Sequence, residues 1–223
     1  TDSVGLTFTA AGTVADLTLR DANSIGIGNV SVTTAPKLAN VITTLTDTAL
    51  SNLTVGGSGT LKIGTFTSGT LAAMTLTNNS TAIPVSIAQT TAGISDAWTN
   101  AGGSTLEITT LTDTALSILN FAGTGNTVVT TLTTGVSIGS IVNNSTGSVQ
   151  IGTLADNSLA SLTFSGTGST DILNITDTAA SIAIANTGTG TVTIGDGAAT
   201  GFLNGSATLA TLTLTGNVAI GTN

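Results

Sequence analysis

An identical internal repeat is the feature that most restricts the fold of this chain. The nine residues ITTLTDTAL at Ile42–Leu50 recur unchanged at Ile108–Leu116, an offset of 66 residues. A shorter copy, NITDTAA, follows at 174–180. Related segments are separated by 66, 43 and 21 residues and begin at Leu45, Leu111, Leu154 and Ile175. These gaps correspond to three, two and one units of about 21–22 residues, a period that indicates a stacked repeat architecture.

Each unit contains two short runs in which apolar residues alternate with threonine. The clearest runs are MTLT at 74–77 and TLTLT at 211–215. Alternation with period two is typical of β-strands that turn one face toward a core, and GSG and GTG clusters between the runs supply turns. We therefore predict an all-β fold, a β-solenoid resembling a parallel β-helix, with about ten coils of 21–22 residues. A β-sandwich is the alternative, because many short strands also describe that fold.

The repeat pattern extends over 1–223, which we predict to form a single repeat domain. The spacing between strand-like runs lengthens at 88–104, where we expect an insertion with irregular structure or a short helix. This segment contains Trp98, the only tryptophan of the chain. We expect its ring to cover the insertion, with stacking on a ligand as the alternative role.

Residue usage excludes several functional classes. The chain has no His and no Cys, so it lacks the Ser-His-Asp and Cys-His pairs and any imidazole or thiolate metal site. Three basic residues and a net charge of −8 cannot neutralise the roughly 6–10 phosphates of a typical nucleic-acid contact. No run reaches the ~18 apolar residues of a membrane helix. The chain begins with Thr1 rather than Met, which predicts a processed form or a piece of a longer protein.

Four aspartates recur at one phase of the unit, three in TDT and one in ADN, and these are Asp47, Asp113, Asp177 and Asp156. An aspartate in a turn normally accepts a hydrogen bond from a backbone N–H two residues on, and we predict this structural role. The alternative role is as a Ca²⁺ ligand, which needs six to eight oxygens in total. Because neighbouring units rarely all have the aspartate, the sequence predicts no metal-ligand set and no required cofactor, with Ca²⁺ as the only candidate.

Two pairs of carboxylates raise the question of glycoside cleavage. Asp16 with Asp21, and Asp171 with Asp177, are the closest pairs in sequence. Such an enzyme needs two carboxylates about 5–10 Å apart in a cleft with aromatic side chains for the sugar, and aromatic residues are only 3% of the chain. We predict no catalytic residues and no enzymatic activity.

Threonine triplets of the form Thr-x-Thr raise a third hypothesis, binding to ice. A flat face of a β-solenoid with one triplet per coil can order water. Triplets occur at 7–9, 65–67, 75–77, 191–193, 211–213 and 213–215. From this distribution we expect them to fall on different strands and to be interrupted.

The chain resembles the Thr/Gly-rich β-strand-repeat regions of bacterial surface-layer proteins and of very large secreted adhesins related to haemolysin-type toxins. The resemblance depends on TLTDTAL at 44–50 and 110–116, on LTFSGTG at 162–168, and on the scarcity of basic residues. It implies a secreted protein that assembles into lattices or fibres, often with Ca²⁺. The calcium nonapeptide of the haemolysin-type relatives is absent, and GGSGT at 56–60 is a partial match only.

These observations predict a non-enzymatic structural protein of the bacterial cell surface that self-assembles into a surface layer, sheath or filament. Its partners would be other copies of itself and, as an option, a cell-surface glycan. Both ends of the sequence are strand-like, which suggests pairing through open strand edges. The alternatives are a stalk or ligand-binding segment of a giant adhesin and an ice-binding β-solenoid.

Overall fold

A computed structural model describes most of the chain. The described residues are 3–19, 27–36, 38–47, 49–68, 73–79, 85–91, 95–102, 105–135, 138–156, 158–177, 181–195, 203–204 and 211–220. Among them, no helix is long and apolar enough to cross a membrane.

The described strands form two parallel sheets, each with a path of ten strands. Sheet 1 contains β1 (Ser3–Thr7), β3 (Asn29–Thr34), β5 (Asn52–Gly57), β7 (Ala73–Asn78), β9 (Ser95–Asn100), β11 (Ile118–Gly123), β13 (Ser140–Asn143), β15 (Ser161–Gly166), β17 (Ser181–Asn186) and β20 (Thr211–Gly216). Sheet 2 contains β2 (Gly12–Thr18), β4 (Ala39–Asp47), β6 (Thr60–Ser68), β8 (Val85–Thr91), β10 (Leu106–Asp113), β12 (Thr127–Thr134), β14 (Val149–Asp156), β16 (Thr170–Thr176), β18 (Val192–Ile194) and β21 (Val218–Ile220), with β19 (Leu203–Asn204) beside β16.

Successive strands alternate between the two sheets, so that one coil contributes a strand to each. From β10 to β18, paired residues in neighbouring coils are 21 or 22 positions apart, as in the series Leu106, Thr127, Val149, Thr170 and Val192. The predicted parallel β-solenoid and its repeat are therefore confirmed. The β-sandwich alternative is wrong, because sandwich strands pair mainly antiparallel and every described pair here is parallel.

The segment 88–104 differs from the irregular structure or short helix that we expected. Its described part contains the end of β8 and all of β9, and β9 pairs in register with both β7 and β11. Trp98 lies within β9, is 1% exposed, and packs edge-on against Phe121 with ring centroids 5.5 Å apart. The ring is therefore part of the core and is closed to a ligand. The extent of the repeat domain, 1–223, stays a prediction.

The core lies between the sheets and consists of Leu, Ile, Val and Phe side chains stacked coil upon coil. In sheet 2 the repeat ITTL departs from strict alternation. Ile42 and Leu45 are completely buried, whereas Thr43 and Thr44 between them both face outward. Two consecutive outward residues bend the strand, as a β-bulge does. The bend divides the outer surface of sheet 2 into two strips.

Candidate functional surfaces

The recurring aspartates lie in one turn of the solenoid, at or just after the ends of sheet 2 strands. Asp47, Asp113, Asp156 and Asp177 are at most 1% exposed. In three of them a carboxylate oxygen accepts the backbone N–H two residues on, from Ala49 at 3.0 Å, Ala115 at 2.9 Å and Ser158 at 2.9 Å. The predicted turn role is therefore confirmed for Asp47, Asp113 and Asp156.

The second carboxylate oxygen of Asp47 and that of Asp156 link neighbouring coils. Oδ2 of Asp47 accepts the N–H of Ile27 at 3.0 Å, and Oδ2 of Asp156 accepts the N–H of Ile138 at 2.9 Å. Burial raises the pKa of the Asp47 carboxyl above its usual 3.8, and backbone N–H donors, including those of Ala49 and Ile27, oppose the rise. One side chain thus closes its own turn and fixes the turn of the preceding coil.

The raised pKa of Asp47 predicts a pH dependence of stability. The folded state binds a proton at Asp47 more readily than the unfolded chain, so this group favours folding at low pH. Its favourable contribution is present below 3.8 and is lost as the pH rises through the raised value. The quantity to compare is the free energy of unfolding of the wild type minus that of Asp47→Asn. We expect this difference to decrease as the pH rises from 3.8 through the raised pKa, and then to stay constant. Urea titrations from pH 3 to 7 measure it, and a difference that rises with pH would contradict the assignment.

Metal ligation by these aspartates would require several carboxylates in one place. The register puts Asp156 and Asp177 in neighbouring coils, because Ala155 pairs with Thr176. Thr134 separates Asp113 from Asp156. Within the described ranges no group of three or more acidic residues could hold a metal ion. The N–H groups that point at Asp47 and Asp156 stabilise a carboxylate but give a cation no ligand.

The carboxylates of Asp171 and Asp177 do not face each other across a cleft. Asp171 is exposed on the outer surface of β16, whereas Asp177 is buried inside the turn, so the two face opposite ways. Asp21 and the side chain of Asp16 lie outside the described residues. No step of glycoside cleavage follows from this arrangement.

The turn at the end of the sheet 1 strands contains a pairing that the sequence analysis missed. Buried asparagines recur two coils apart, and the next coil has a glycine at the matching position. Asn143 pairs with Gly166 in this way, and the pattern repeats for Asn100 with Gly123 and for Asn186 with Gly216. Gly166, Gly123 and Gly216 have φ of 97°, 100° and 81°, where residues with a Cβ are strained. The signal in the sequence was the 43-residue spacing of Asn100, Asn143 and Asn186.

Threonines form two columns on the outer surface of sheet 2, on one side of the bend. We call this the threonine face and define it by two outward positions on each of seven consecutive strands, β4 to β16. The positions are 44 and 46, 65 and 67, 88 and 90, 110 and 112, 131 and 133, 153 and 155, and 174 and 176. Eleven of the fourteen are Thr, and the others are Ala88, Ala155 and Asn174. Where the side chain is described, it is exposed or half-buried.

The expectation that the named Thr-x-Thr triplets fall on different strands is confirmed for 65–67, 75–77 and 211–215, which lie in β6, β7 and β20; the threonine face is formed mainly by other triplets. Only 65–67 of the six triplets first noted belongs to this face. The others that form it, 44–46, 110–112 and 131–133, lie inside the repeat motif and its relative TTLTT. They align because each begins at the second residue of the bend, which has the same position in each coil.

Three charged residues of sheet 2 are separated from the threonine face, whereas Asp16 of β2 pairs with Thr44 and borders the face at one end. Lys62, Glu107 and Asp171 occupy a single column on the other side of the bend, together with Ser86, Val128 and Gln150. The fourteen positions of the threonine face include no charged residue. The outer surface of sheet 1 is mixed by comparison, with Asn120, Val142, Ser165 and a 39% exposed Ile118.

One end of the described stack exposes its core. Leu6, Phe8 and Leu17 are only partly buried and Val14 is 36% exposed. Together with Thr7 and Ile42 they line an apolar recess. In the described part of the chain β1 pairs only with β3, and β2 only with β4. At the other end Leu214 of β20 is 38% exposed.

No family model, no curated protein and no solved structure matches this chain. The fold itself defines the class, and the chain is a parallel β-solenoid repeat protein.

Proposed function

We propose that the chain is a non-enzymatic structural protein of a bacterial cell surface, which assembles head to tail into a filament, sheath or layer. The observation that carries this proposal is the partly exposed apolar surface of β1 and β2, on which no further described strand packs. The compositional resemblance to surface-layer and adhesin repeats supports the location outside the cell.

A second copy of the chain packs on the end formed by β1 and β2. The partly exposed Leu6, Phe8 and Leu17 have the alternating pattern of a coil that packs on a further coil. The far end supplies such a coil, since β20 and β21 continue the same two sheets with Leu214 exposed and Val218 partly buried. A contact between two different ends does not close on itself and therefore gives an open polymer.

Backbone hydrogen bonds would supply specificity at this contact. The N–H of Phe8 donates to the carbonyl of Thr33 at 3.0 Å, within the stack. Because successive residues of a strand direct their N–H groups to opposite sides, the N–H of Thr7 points to the open edge. An edge of this kind is a template for another strand.

Thr7→Pro tests the head-to-tail contact. Proline removes the edge donor and leaves the bonds between β1 and β3 in place. We expect filaments or sheets of the wild type by electron microscopy, and at least a tenfold higher critical concentration for Thr7→Pro by sedimentation. Thr7→Ala, which keeps the N–H, should assemble like the wild type.

Two results would contradict this proposal. One is a wild-type chain that stays monomeric at high concentration, which would favour the stalk of a giant adhesin, where further coils of the same chain cover the end. The other is a Thr7→Pro variant that assembles as readily as Thr7→Ala. Circular dichroism of both variants should show that each is folded.

A further inference from the structure

We propose that the threonine face binds ice. This function is separate from assembly, because the face lies on the side of the solenoid and the assembly contact lies at its end. The inference rests on the alignment of eleven threonines in two columns and on the absence of charge among all fourteen positions.

The first argument is periodicity in two directions. Neighbouring strands of a sheet are about 4.8 Å apart, and two outward residues of one strand are separated by roughly 6.6 Å. Thr110 pairs with Thr131, and Thr112 pairs with Thr133, so the hydroxyl groups repeat along both directions. A crystal of water is a neutral lattice of donors and acceptors that also repeats in two dimensions. A threonine hydroxyl both donates and accepts, and its methyl group limits the water positions around it.

The second argument is rigidity. A β-branched side chain has a restricted χ1, and each threonine of the columns lies beside an equivalent residue of the next coil. Beneath the face, Leu45, Leu111 and Leu132 are completely buried and fix the backbone. The array therefore loses little conformational entropy when it binds a regular surface, which is the advantage of preorganisation.

The third argument is the position of the charges. Lys62 and Asp171 are exposed, and with Glu107 they lie in one column across the bend from the threonines. Asp16 of β2 pairs with Thr44, so the uncharged array ends at β4. A charged group binds its own hydration shell and would interrupt a neutral water lattice. Sheet 1, whose outer surface mixes Asn120, Val142 and Ile118, lacks this order and supplies a control.

Thr110→Lys tests this proposal at an exposed position in the middle of the face, and Ser161→Lys is the control at an exposed position of sheet 1. We expect thermal hysteresis from the wild type in nanolitre osmometry, with faceted ice crystals. Thr110→Lys should reduce the hysteresis at equal concentration by at least fivefold, and Ser161→Lys should leave it unchanged. Adsorption of fluorescently labelled protein to a growing ice hemisphere gives a second readout.

Three results would overturn the proposal. They are a folded wild type without hysteresis or adsorption, an equal loss in both lysine variants, and a Thr110→Lys variant that loses lateral contacts between filaments but adsorbs to ice normally. The last result would make the face an interface between copies. Circular dichroism and thermal unfolding show whether each variant keeps the wild-type fold, and Thr110→Ser, which keeps the hydroxyl, gives a milder change should the lysine variant fail to fold.

Discussion

Replacing Gly57 with alanine is expected to lower the free energy of unfolding by on the order of 3 kcal/mol. Gly57 has a φ of 95°, and a Cβ there would collide with the carbonyl oxygen of Thr34 in the preceding coil. The obstacle is backbone within a hydrogen-bonded ladder, so it cannot move aside without breaking pairs between β3 and β5. Strain of the left-handed backbone and the steric conflict therefore add to each other.

The neighbouring Gly56 provides the matched control. A Cβ at Gly56 meets nothing within 4 Å, and Gly56→Ala should change the free energy of unfolding by less than about 1 kcal/mol, in the stabilising direction. Urea denaturation followed by circular dichroism measures both variants. Equal effects at the two positions would show that the turn tolerates a side chain and that our account of the glycine is incorrect.

The solenoid could be predicted because the residues that form one corner of a coil are close together in sequence. In ITTLTDTAL, Ile42 and Leu45 face the core and Asp47 closes the turn, so the whole corner of a coil is contained in nine residues. Copies at multiples of about 21–22 residues then fix the stacking. The turn role of the aspartates was predictable for the same reason, since the acceptor and its donor are two residues apart.

The strand at Trp98 could not be predicted in this way. The sequence SDAWTN of β9 has one large apolar residue and none of the Leu/Thr alternation seen in the other strands. Its strand conformation depends on pairing with β7 on one side and β11 on the other. The local sequence pattern does not indicate that pairing. Packing against Phe121, 23 positions along the chain, supplies the stabilisation.

The threonine face could not be predicted because it depends on register. Coils differ in length, and the paired residues Leu61 and Val85 are 24 positions apart, whereas Val85 and Leu106 are 21 apart. A change of a few residues in a turn determines which threonines align. At the bend, two consecutive residues face outward. The outward positions after it are therefore displaced by one residue from those that strict alternation predicts.

Asn143 is expected to be the most important polar side chain of the sheet 1 turn. It is 1% exposed. Its Nδ2 donates to the carbonyl of Ser169 at 2.7 Å and to Oγ1 of Thr170 at 3.0 Å. Its Oδ1 accepts the N–H of Ser145 at 2.9 Å and the hydroxyl of the same residue at 2.7 Å. One amide therefore closes its own turn and links it to the next coil.

Asn143→Ala should lower the free energy of unfolding by roughly 3 kcal/mol, because it removes the acceptor of the buried Ser145 N–H and the amide donor to Oγ1 of Thr170. Asn143→Asp should cost at least as much at pH 7. A carboxylate replaces the Nδ2 donor with an acceptor that faces the carbonyl of Ser169, although the same residue type suits the sheet 2 turn at Asp47. Asn144, which is exposed, supplies the control, and Asn144→Ala should stay within about 0.5 kcal/mol of the wild type. Urea denaturation measures all three variants, and an Asn143→Asp variant as stable as the wild type would show that the donor to the next coil contributes nothing.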